Sequence, residues 1–362
     1  MDENIEFLKE QIITYIGNKR ALLEFLGSGV KMAKDELRKS RLSFADIFSG
    51  SGIVARSFKS SASYILANDL EAYSKIINEC YLSNQSELDL VLLGSLHEQI
   101  SNTKILKKGI ISELYAPKDD GCIKQGERVF YTTKNAALID TIRQNIDEFS
   151  PANLKPFFIA PLLFKASVHA NTAGVFKGFY KDEKGIGAYG GRAGHALNRI
   201  KGEISLPFPL FSKHDVPFDV TQLDALNLAK DMPSVDVAYL DPPYNIHPYG
   251  SNYFMLNLIA SYNRPNEISK VSGIPKNWNR SEFNKANASE AFFELVARVK
   301  ARFVLISYNN EGIISADEFD KNLKKLGKVR LLERRYNAFR ASRNLSNREK
   351  YVKEWLYIVK KF

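Results

Sequence analysis

Cysteine is scarce in this chain, and no apolar run is long enough to cross a bilayer. Cys80 and Cys122 are its two cysteines, too few for a disulfide framework, and neither has a Cys or His nearby at the spacing of a metal site. No stretch approaches the roughly 18 apolar residues of a membrane span. The first residues lack the basic start and apolar core of a secretory signal. We therefore expect a soluble cytoplasmic protein without a bound metal.

The composition indicates a folded, basic protein. Hydrophobic residues make up 44% of the 362 positions and charged residues 25%, as is typical of globular chains. The length predicts one large α/β domain with an insertion, or two domains that share a cleft. A formal net charge of +10 favours a polyanionic partner, because Lys and Arg displace counterions from phosphates. Charge alone does not establish such a partner, since many basic proteins bind no nucleic acid.

Short apolar segments and helical patterns alternate along both ends of the chain. Seven segments have the pattern of strands: 43–48, 64–67, 218–221, 236–240, 302–307, 328–332 and 354–359. Helices are predicted at 53–59 and 70–82, and the last two strands should form an antiparallel pair. This alternation predicts an α/β fold with a doubly wound, mixed sheet of the Rossmann-like kind.

Residues 85–217 interrupt this rhythm. Two helices are predicted in the segment, at 134–149 and 152–170, followed by a glycine-rich basic stretch at 171–201. We interpret 85–217 as a largely helical insertion, and residues 1–84 together with 218–362 as the domain that carries the sheet.

The strongest motif is Asp241-Pro242-Pro243-Tyr244, directly after a predicted buried strand. The prolines end strand pairing, so the carboxylate and the ring should project from the carboxyl edge of the sheet, where open α/β folds bind ligands. The Asp241 carboxylate and the Pro242 carbonyl could accept both N–H bonds of an exocyclic adenine amine and direct its lone pair at a methyl donor. Tyr244 could stack on an extruded base. A proline turn with a capping Asp is the structural alternative.

Two segments near the N-terminal strands suit a cofactor. Asp46, Phe48, Gly50 and Gly52 belong to a glycine turn between the first strand and a helix, and such a turn lets the backbone approach a ligand closely. Asp69 ends the second strand, where an acidic residue can accept both hydroxyls of a ribose. It could equally cap the helix that follows.

A third segment precedes a predicted helix at 21–26. Its Tyr15 could pack on a cofactor, and its Lys19 could bind a carboxylate or a carbonyl group. The alternative for this segment is a solvated loop.

The order of these motifs resembles that of the Dam-like adenine-specific DNA methyltransferases of the D-P-P-Y type. The resemblance covers about the first eighty residues and most of the chain after residue 217. It implies S-adenosylmethionine as cofactor, double-stranded DNA as substrate, and Asp241, Pro242, Pro243 and Tyr244 as the catalytic edge. The cofactor-binding residues that it implies are Tyr15, Lys19, Asp46, Phe48, Gly50, Gly52, Asp69, Asp224 and Ala225. Asn18 stands where the family often has a second glycine.

Contacts to DNA are sought in the insertion and beyond the catalytic motif. The candidates are Lys177, Lys181, Arg192 and Tyr249, with Arg199, Asn245, His247, Tyr253 and the arginine-rich run at 330–350 as further ones. A surface loop and a solvated charged face are the alternatives. The insertion resembles no recognition domain that would name the target sequence.

Together these features predict a site-specific, adenine-specific DNA methyltransferase that flips its target base. Such an enzyme serves a restriction-modification system, with a cognate endonuclease and no stable complex between them, or acts as an orphan methylase. Methylation of adenine in structured RNA and a catalytically silent DNA-binding module are the alternatives. Methylation of a protein glutamine fits less well, because the related motif begins with Asn.

Overall fold

The computed structural model describes residues 3–244, 248–337 and 351–362, and only the backbone of residues 336 and 337. Seven strands form one sheet in these ranges: β1 (Leu42–Asp46), β2 (Ala62–Asn68), β3 (Phe218–Thr221), β4 (Val235–Leu240), β5 (Ala301–Asn309), β6 (Gly327–Asn337) and β7 (Tyr351–Lys361). Their order is β3-β2-β1-β4-β5-β7-β6. The first five are parallel, and β7 runs antiparallel to both β5 and β6. The predicted mixed, doubly wound α/β fold is therefore confirmed.

The α-helices in the described ranges are α1 (Ile5–Lys9), α2 (Leu23–Leu37), α3 (Ile53–Phe58), α4 (Ala72–Leu82), α5 (Leu90–Ile100), α6 (Ile110–Leu114), α7 (Thr133–Phe149), α8 (Pro156–Val168), α9 (Leu197–Lys201), α10 (Ala225–Asp231), α11 (Tyr249–Asn252), α12 (Phe254–Ser261), α13 (Ala288–Arg298) and α14 (Ala316–Leu323). Single 3-10 turns occur at Lys19–Leu22, Lys59–Ser61, Gln85–Glu87, Ala152–Leu154 and Glu282–Asn284. Within these ranges, none of the helices combines the length and the apolar character that a bilayer span requires.

The predicted helices at 53–59, 70–82 and 134–149 are confirmed. The helix predicted at 152–170 is confirmed as α8 with narrower bounds, because a 3-10 turn at Ala152–Leu154 precedes it and Pro156 begins the helix. Proline is well tolerated in a first helical turn, where its missing N–H has no partner to lose. The helix predicted at 21–26 is α2, which begins after a 3-10 turn and continues to Leu37.

Both faces of the sheet are covered, as the alternation of side chains along its strands requires. Phe44 and Val237 pack under α2 and α3, whereas their neighbours Ala45 and Ala238 pack under α10, α13 and α14. The central strands are therefore buried on both sides, and the polar residues that follow them can function only at the strand ends.

The inserted segment contributes helices but no strand to the described sheet. Its helices α5 to α8 share an apolar core with α4 and α12, including Tyr73 and Ile77 of α4 and Phe254 of α12. The boundaries at residues 85 and 217 stay a prediction. What the packing shows is that the insertion rests on helices that also border the site described next.

Candidate active site

The glycine turn after β1 has a backbone that only glycine adopts readily. Gly50 and Gly52 have φ angles of +53° and +74°, in the left-handed region that disfavours other residues. A Cβ atom on Gly50 would lie 3.0 Å from Cε1 of Tyr15, and one on Gly52 would lie 3.0 Å from Oδ1 of Asn78. The turn is thus fixed by its conformation and by close neighbours.

Asp46 is buried beneath this turn. Its Oδ2 accepts hydrogen bonds from the Ala55 amide at 3.2 Å and the Ser49 hydroxyl at 3.3 Å. Its Oδ1 has no hydrogen-bond partner among the described residues. Burial raises the pKa of Asp46 to about 8, and the nearby charge of Asp241 adds to the shift. Asp46 therefore caps the first turn of α3 and is largely protonated at neutral pH.

Two further acidic side chains follow β2. Asp69 accepts hydrogen bonds from the amides of Gly50 at 2.7 Å and Glu71 at 2.9 Å, and burial raises its pKa to about 6. It does not cap α4, whose N-cap residue is Glu71. Glu71 accepts hydrogen bonds from the side chains of Asn257 and Asn279, and burial raises its pKa to about 7.

A cavity, called the first cavity below, lies at the carboxyl ends of β1, β2 and β4, and aromatic side chains form much of its wall. Phe48 meets Phe283 edge to face at 5.1 Å between ring centroids, and Asp224 caps α10 by accepting the Leu226 amide at 2.9 Å. On the opposite side the ring of Tyr15 stacks on Tyr249 and Tyr253, at 5.1 and 4.6 Å.

The structure brings most of the predicted cofactor residues to this cavity. Its lining includes Tyr15, Phe48, Asp69, Glu71, Asp224, Ala225, Asp241, Pro243 and Phe283. Asp46, Gly50 and Gly52 do not line it, but the Gly50 amide donates a hydrogen bond to Asp69, which does. Asn68, beside Asp69, contributes to the lining, and its amide also holds the main chain at Ile47 and Leu223.

The Asp241–Tyr244 turn follows β4, as predicted, and Lys19 contacts it. The Tyr244 hydroxyl donates to Oδ1 of Asp241, and the Lys19 ammonium lies 3.1 Å from the same oxygen. Oε1 of Glu354 also lies 3.1 Å from the ammonium and accepts a hydrogen bond from Ser307 at 3.1 Å.

Burial and charge oppose each other in this cluster. Burial alone would lower the pKa of Lys19, but the carboxylates of Asp241 and Glu354 outweigh it and raise that pKa. The pKa of Asp241 is raised by burial, with a contribution from Glu354, against the opposing effect of Lys19. Lys19 is therefore held as a cation, and Asp241 is a stronger proton acceptor than an exposed Asp.

A second cavity lies on the other side of this turn. Its lining includes Lys19, Tyr244, Tyr249, Glu354 and residues of α8. Tyr15, Gly17 and Tyr249 border both cavities. Lys19 lines only the second, so its predicted contact with a cofactor stays a prediction. Asp241 and Pro243 of the turn line the first cavity and Tyr244 lines the second, so a ligand in either cavity can reach the turn.

The predicted DNA-contacting residues are dispersed. Lys177, Lys181 and Arg192 are exposed; Lys181 lies over the Phe179 ring at 5.2 Å, and Arg192 pairs with Glu183 at 2.9 Å. Tyr249 stands in the wall between the cavities. Arg199 donates to main-chain carbonyls at the end of α8 and beyond it, so its guanidinium holds the backbone of the segment that follows α8. Asn245, His247, Arg340, Arg343 and Arg348 lie outside the described residues.

Sequence reasoning missed several site residues: Glu71, Asn257, Asn279, Ser307 and Glu354. None belongs to a motif. Glu354 lies within a predicted strand whose pattern gave no reason to expect a buried charge. Glu71 follows Asp69 closely, and this acidic pair was the one available signal.

The chain is similar in sequence to known DNA methyltransferases. Residues 15–322 match the family of D12 class N6 adenine-specific DNA methyltransferases. Type II methyltransferase M.NlaIII of Neisseria lactamica is 30% identical over 358 residues, which cover 96% of this chain and 99% of that protein. Type II methyltransferase M.CviAII of Paramecium bursaria Chlorella virus 1 is 29% identical, with coverage of 96% and 98%. Type II methyltransferase M.FokI of Planomicrobium okeanokoites is 26% identical over 86% of this chain but only 47% of its own length.

Proposed function

Because the chain belongs to the D12 class N6 adenine-specific DNA methyltransferase family, we propose that it transfers a methyl group from S-adenosylmethionine to the exocyclic amine of an adenine flipped out of duplex DNA. The observation that carries this proposal is the position of the Asp241–Tyr244 turn between two cavities. Methyl transfer needs a donor and an acceptor that approach one point from opposite sides, and this turn contributes Asp241 and Pro243 to the first cavity and Tyr244 to the second.

The first cavity fits S-adenosylmethionine in its chemistry. The Phe48–Phe283 end suits a purine ring, and the Asp69 carboxylate suits the two hydroxyls of a ribose. The carboxyl groups of Asp69 and Glu71 suit a ligand that carries positive charge. The proposed binding residues that line this cavity are Tyr15, Phe48, Asp69, Asp224 and Ala225, and Glu71 joins them. Asp46, Gly50 and Gly52 would act by shaping the turn behind Asp69, and a donor contact of Lys19 stays a prediction. When bound, S-adenosylmethionine supplies an electrophilic methyl group on a sulfonium centre.

Asp241 and Pro242 prepare the acceptor amine. Oδ1 of Asp241 already accepts the Tyr244 hydroxyl and lies within reach of Lys19, so it is a hydrogen-bond acceptor held in place. An adenine amine that donates one N–H to this carboxylate and the other to the Pro242 carbonyl can direct its lone pair outward. The same carboxylate stabilises the positive charge that develops on the nitrogen. Because the pKa of Asp241 is raised, its carboxylate can then take up the proton that the methylated amine releases.

The second cavity is the proposed site of the flipped base. Extruding a base from the duplex costs a few kcal/mol, and stacking of that base on an aromatic ring offsets about 1–3 kcal/mol of this cost. Tyr244 and Tyr249 are the rings that line this cavity near Asp241. Part of the Tyr244 ring is already covered, because Tyr308 packs edge to face against it at 4.9 Å between ring centroids, and Lys19 holds its hydroxyl. We therefore propose that the base packs against the remaining aromatic surface.

The insertion, residues 85–217, is the proposed target-recognition region, with Lys177, Lys181 and Arg192 among its exposed cations. Three relatives are named as type II methyltransferases. We therefore propose that this protein modifies one site in a restriction-modification system, or as an orphan enzyme, in the cytoplasm. A cognate endonuclease would act on the same site without forming a stable complex.

Single-molecule sequencing of DNA from cells that express the protein tests this function. The expected result is N6-methyladenine in one short sequence context with the wild type and none with Asp241→Ala. Tritium transfer from labelled S-adenosylmethionine to purified duplex DNA and to structured RNA provides the second arm. A wild-type protein that binds DNA and the donor but methylates no adenine in a broad set of sequences would contradict the proposal.

A further inference from the structure

Glu354 occupies a buried position behind the catalytic turn. It lies on β7 opposite Asn309 of β5, and its side chain is only 3% exposed. Its Oε1 accepts the Ser307 hydroxyl at 3.1 Å and lies 3.1 Å from the Lys19 ammonium. The Tyr244 hydroxyl is 3.4 Å from the same oxygen. A buried carboxylate with this much support has a defined position relative to Asp241.

The ammonium of Lys19 is shared between two carboxylates at equal distances, 3.1 Å to Asp241 and 3.1 Å to Glu354. When all three groups are ionised, the cluster has one negative charge in excess. Without the charge of Glu354, Lys19 would neutralise Asp241 and the cluster would have no net charge. In a water-poor site such a difference has a large effect on a nearby developing charge.

Other titratable groups around Asp241 do not replace Glu354 in this balance. Asp46, from β1, is largely protonated at neutral pH because burial raises its pKa to about 8. Tyr239 of β4, Tyr244 of the turn and Tyr249 of α11 stay neutral, because burial raises the pKa of each hydroxyl. The net charge next to the acceptor amine is therefore decided by Lys19, Asp241 and Glu354.

We propose that Glu354 is a positioning residue, which holds Lys19 and balances its charge, so that the cluster around Asp241 keeps the net negative charge that stabilises methyl transfer to the amine. The inference rests on the proposed function, since it assigns a role within that reaction. Positive charge develops on the amine nitrogen during transfer, and groups that stabilise such charge in a preorganised site commonly contribute about 100- to 1000-fold to kcat when they contact it. Glu354 acts through Lys19, so we expect a smaller effect.

The first test compares Glu354→Gln with Glu36→Gln. In the control, Glu36 loses the carboxylate that pairs with Lys360. Lys360 lies on β7, as Glu354 does, but this ion pair is exposed and lies away from the site. With unmethylated plasmid DNA and saturating S-adenosylmethionine, Glu354→Gln should lower kcat by about 10- to 100-fold. It should leave the KM for the donor within about 2-fold of wild type, because the residue borders only the second cavity. Glu36→Gln should match wild type in both.

The pH dependence of kcat distinguishes this role from a purely structural one, which would leave that dependence unchanged. The charge of Glu354 contributes to the raised pKa of Asp241, so its removal should lower that pKa. The acid limb of the kcat profile, which reports ionisation of Asp241, should therefore move to lower pH in Glu354→Gln. A wild-type kcat with an unmoved acid limb would overturn the proposal.

Second-site rescue tests whether Glu354 acts through Lys19. The double variant Lys19→Met/Glu354→Gln removes both charges and returns the excess negative charge to Asp241. At saturating donor its kcat should exceed that of Glu354→Gln by about 5-fold. A double variant that is no faster than Glu354→Gln would contradict a role through Lys19.

Glu354→Asp keeps the inference testable if Glu354→Gln does not fold. It retains the charge on a shorter side chain, so its kcat should stay within about 10-fold of wild type. A wild-type protein that methylates no adenine would instead count against the proposed function. A kcat for a folded Glu354→Asp protein that is reduced beyond this range would count against the charge-balance role alone.

Discussion

Gly50→Ala tests the connection between the glycine turn and the first cavity. Gly50 has φ +53°, and a Cβ atom there would lie 3.0, 3.2 and 3.3 Å from Cε1, the hydroxyl and Cζ of Tyr15. An alanine in this backbone region costs about 1–2 kcal/mol, so the free energy of unfolding should fall by about that amount in urea titrations.

The effect on the cofactor follows from the position of Tyr15. Its ring stacks on Tyr249 and Tyr253 and must shift by a few tenths of an ångström to admit the new methyl group. Loss of one aromatic pair costs about 0.5–1.5 kcal/mol, so the KM for S-adenosylmethionine should rise by about 3- to 10-fold. The KM is measured by tritium transfer to plasmid DNA at varied donor concentration.

Gly94→Ala is the matched control for this substitution. Gly94 lies within α5, and a Cβ atom there would meet nothing within 4 Å. The change should stabilise the protein by about 0.5–1 kcal/mol, the helix preference of Ala over Gly, and leave the KM for the donor unaltered. If Gly50→Ala had a wild-type KM, or if Gly94→Ala raised the KM equally, the inferred connection through Tyr15 would be refuted.

Three further outcomes are expected. Asp241→Ala should lower kcat by about 100- to 1000-fold while donor binding, measured by calorimetry, stays close to wild type; near-normal turnover would rule out the role of Asp241. Asp69→Ala should raise the KM for the donor by roughly 10- to 100-fold, and an unchanged KM would remove Asp69 from the binding site. The pKa of Glu71 is raised from 4.5 to about 7, so its ionisation in the folded protein costs about 3 kcal/mol. The stabilisation that protonated Glu71 gives the folded protein is complete below pH 4.5 and is lost as the pH rises through about 7. Glu71→Gln should therefore flatten the fall in unfolding free energy between about pH 5 and about pH 8 in urea titrations, and an unaltered slope would contradict the raised pKa.

The sequence predicted the sheet well, because parallel strands buried on both faces are continuous apolar runs. The segment at 236–240 agrees closely with β4, which is buried throughout, and the segment at 218–221 coincides with β3 at the edge of the sheet. The antiparallel pair at the end of the chain was also confirmed, although β6 and β7 are longer than predicted. The helix predicted at 152–170 starts later than predicted, at Pro156, because a proline permits either a continuing helix or a new first turn and the local pattern does not distinguish them.

The site was predicted only in part. Asp69 and Asp241 follow strands, so the chain order already placed both at the carboxyl edge of the sheet. Glu71 and its partners Asn257 and Asn279 belong to segments that are distant in sequence. No local pattern could show that the two amides converge on one carboxylate.

By itself, the sequence determined the strand–turn–helix units and the residues at their ends, because backbone preferences and burial act over a few neighbouring residues. Only the tertiary structure decided that Lys19 contacts Tyr244, 225 residues away, and that Glu354 of the last strand closes the cluster. The physical reason is that β7 lies beside β5, which brings a buried carboxylate within 3.1 Å of the Lys19 ammonium. Charge balance depends on such distances in space, which the order of residues along a chain does not encode locally.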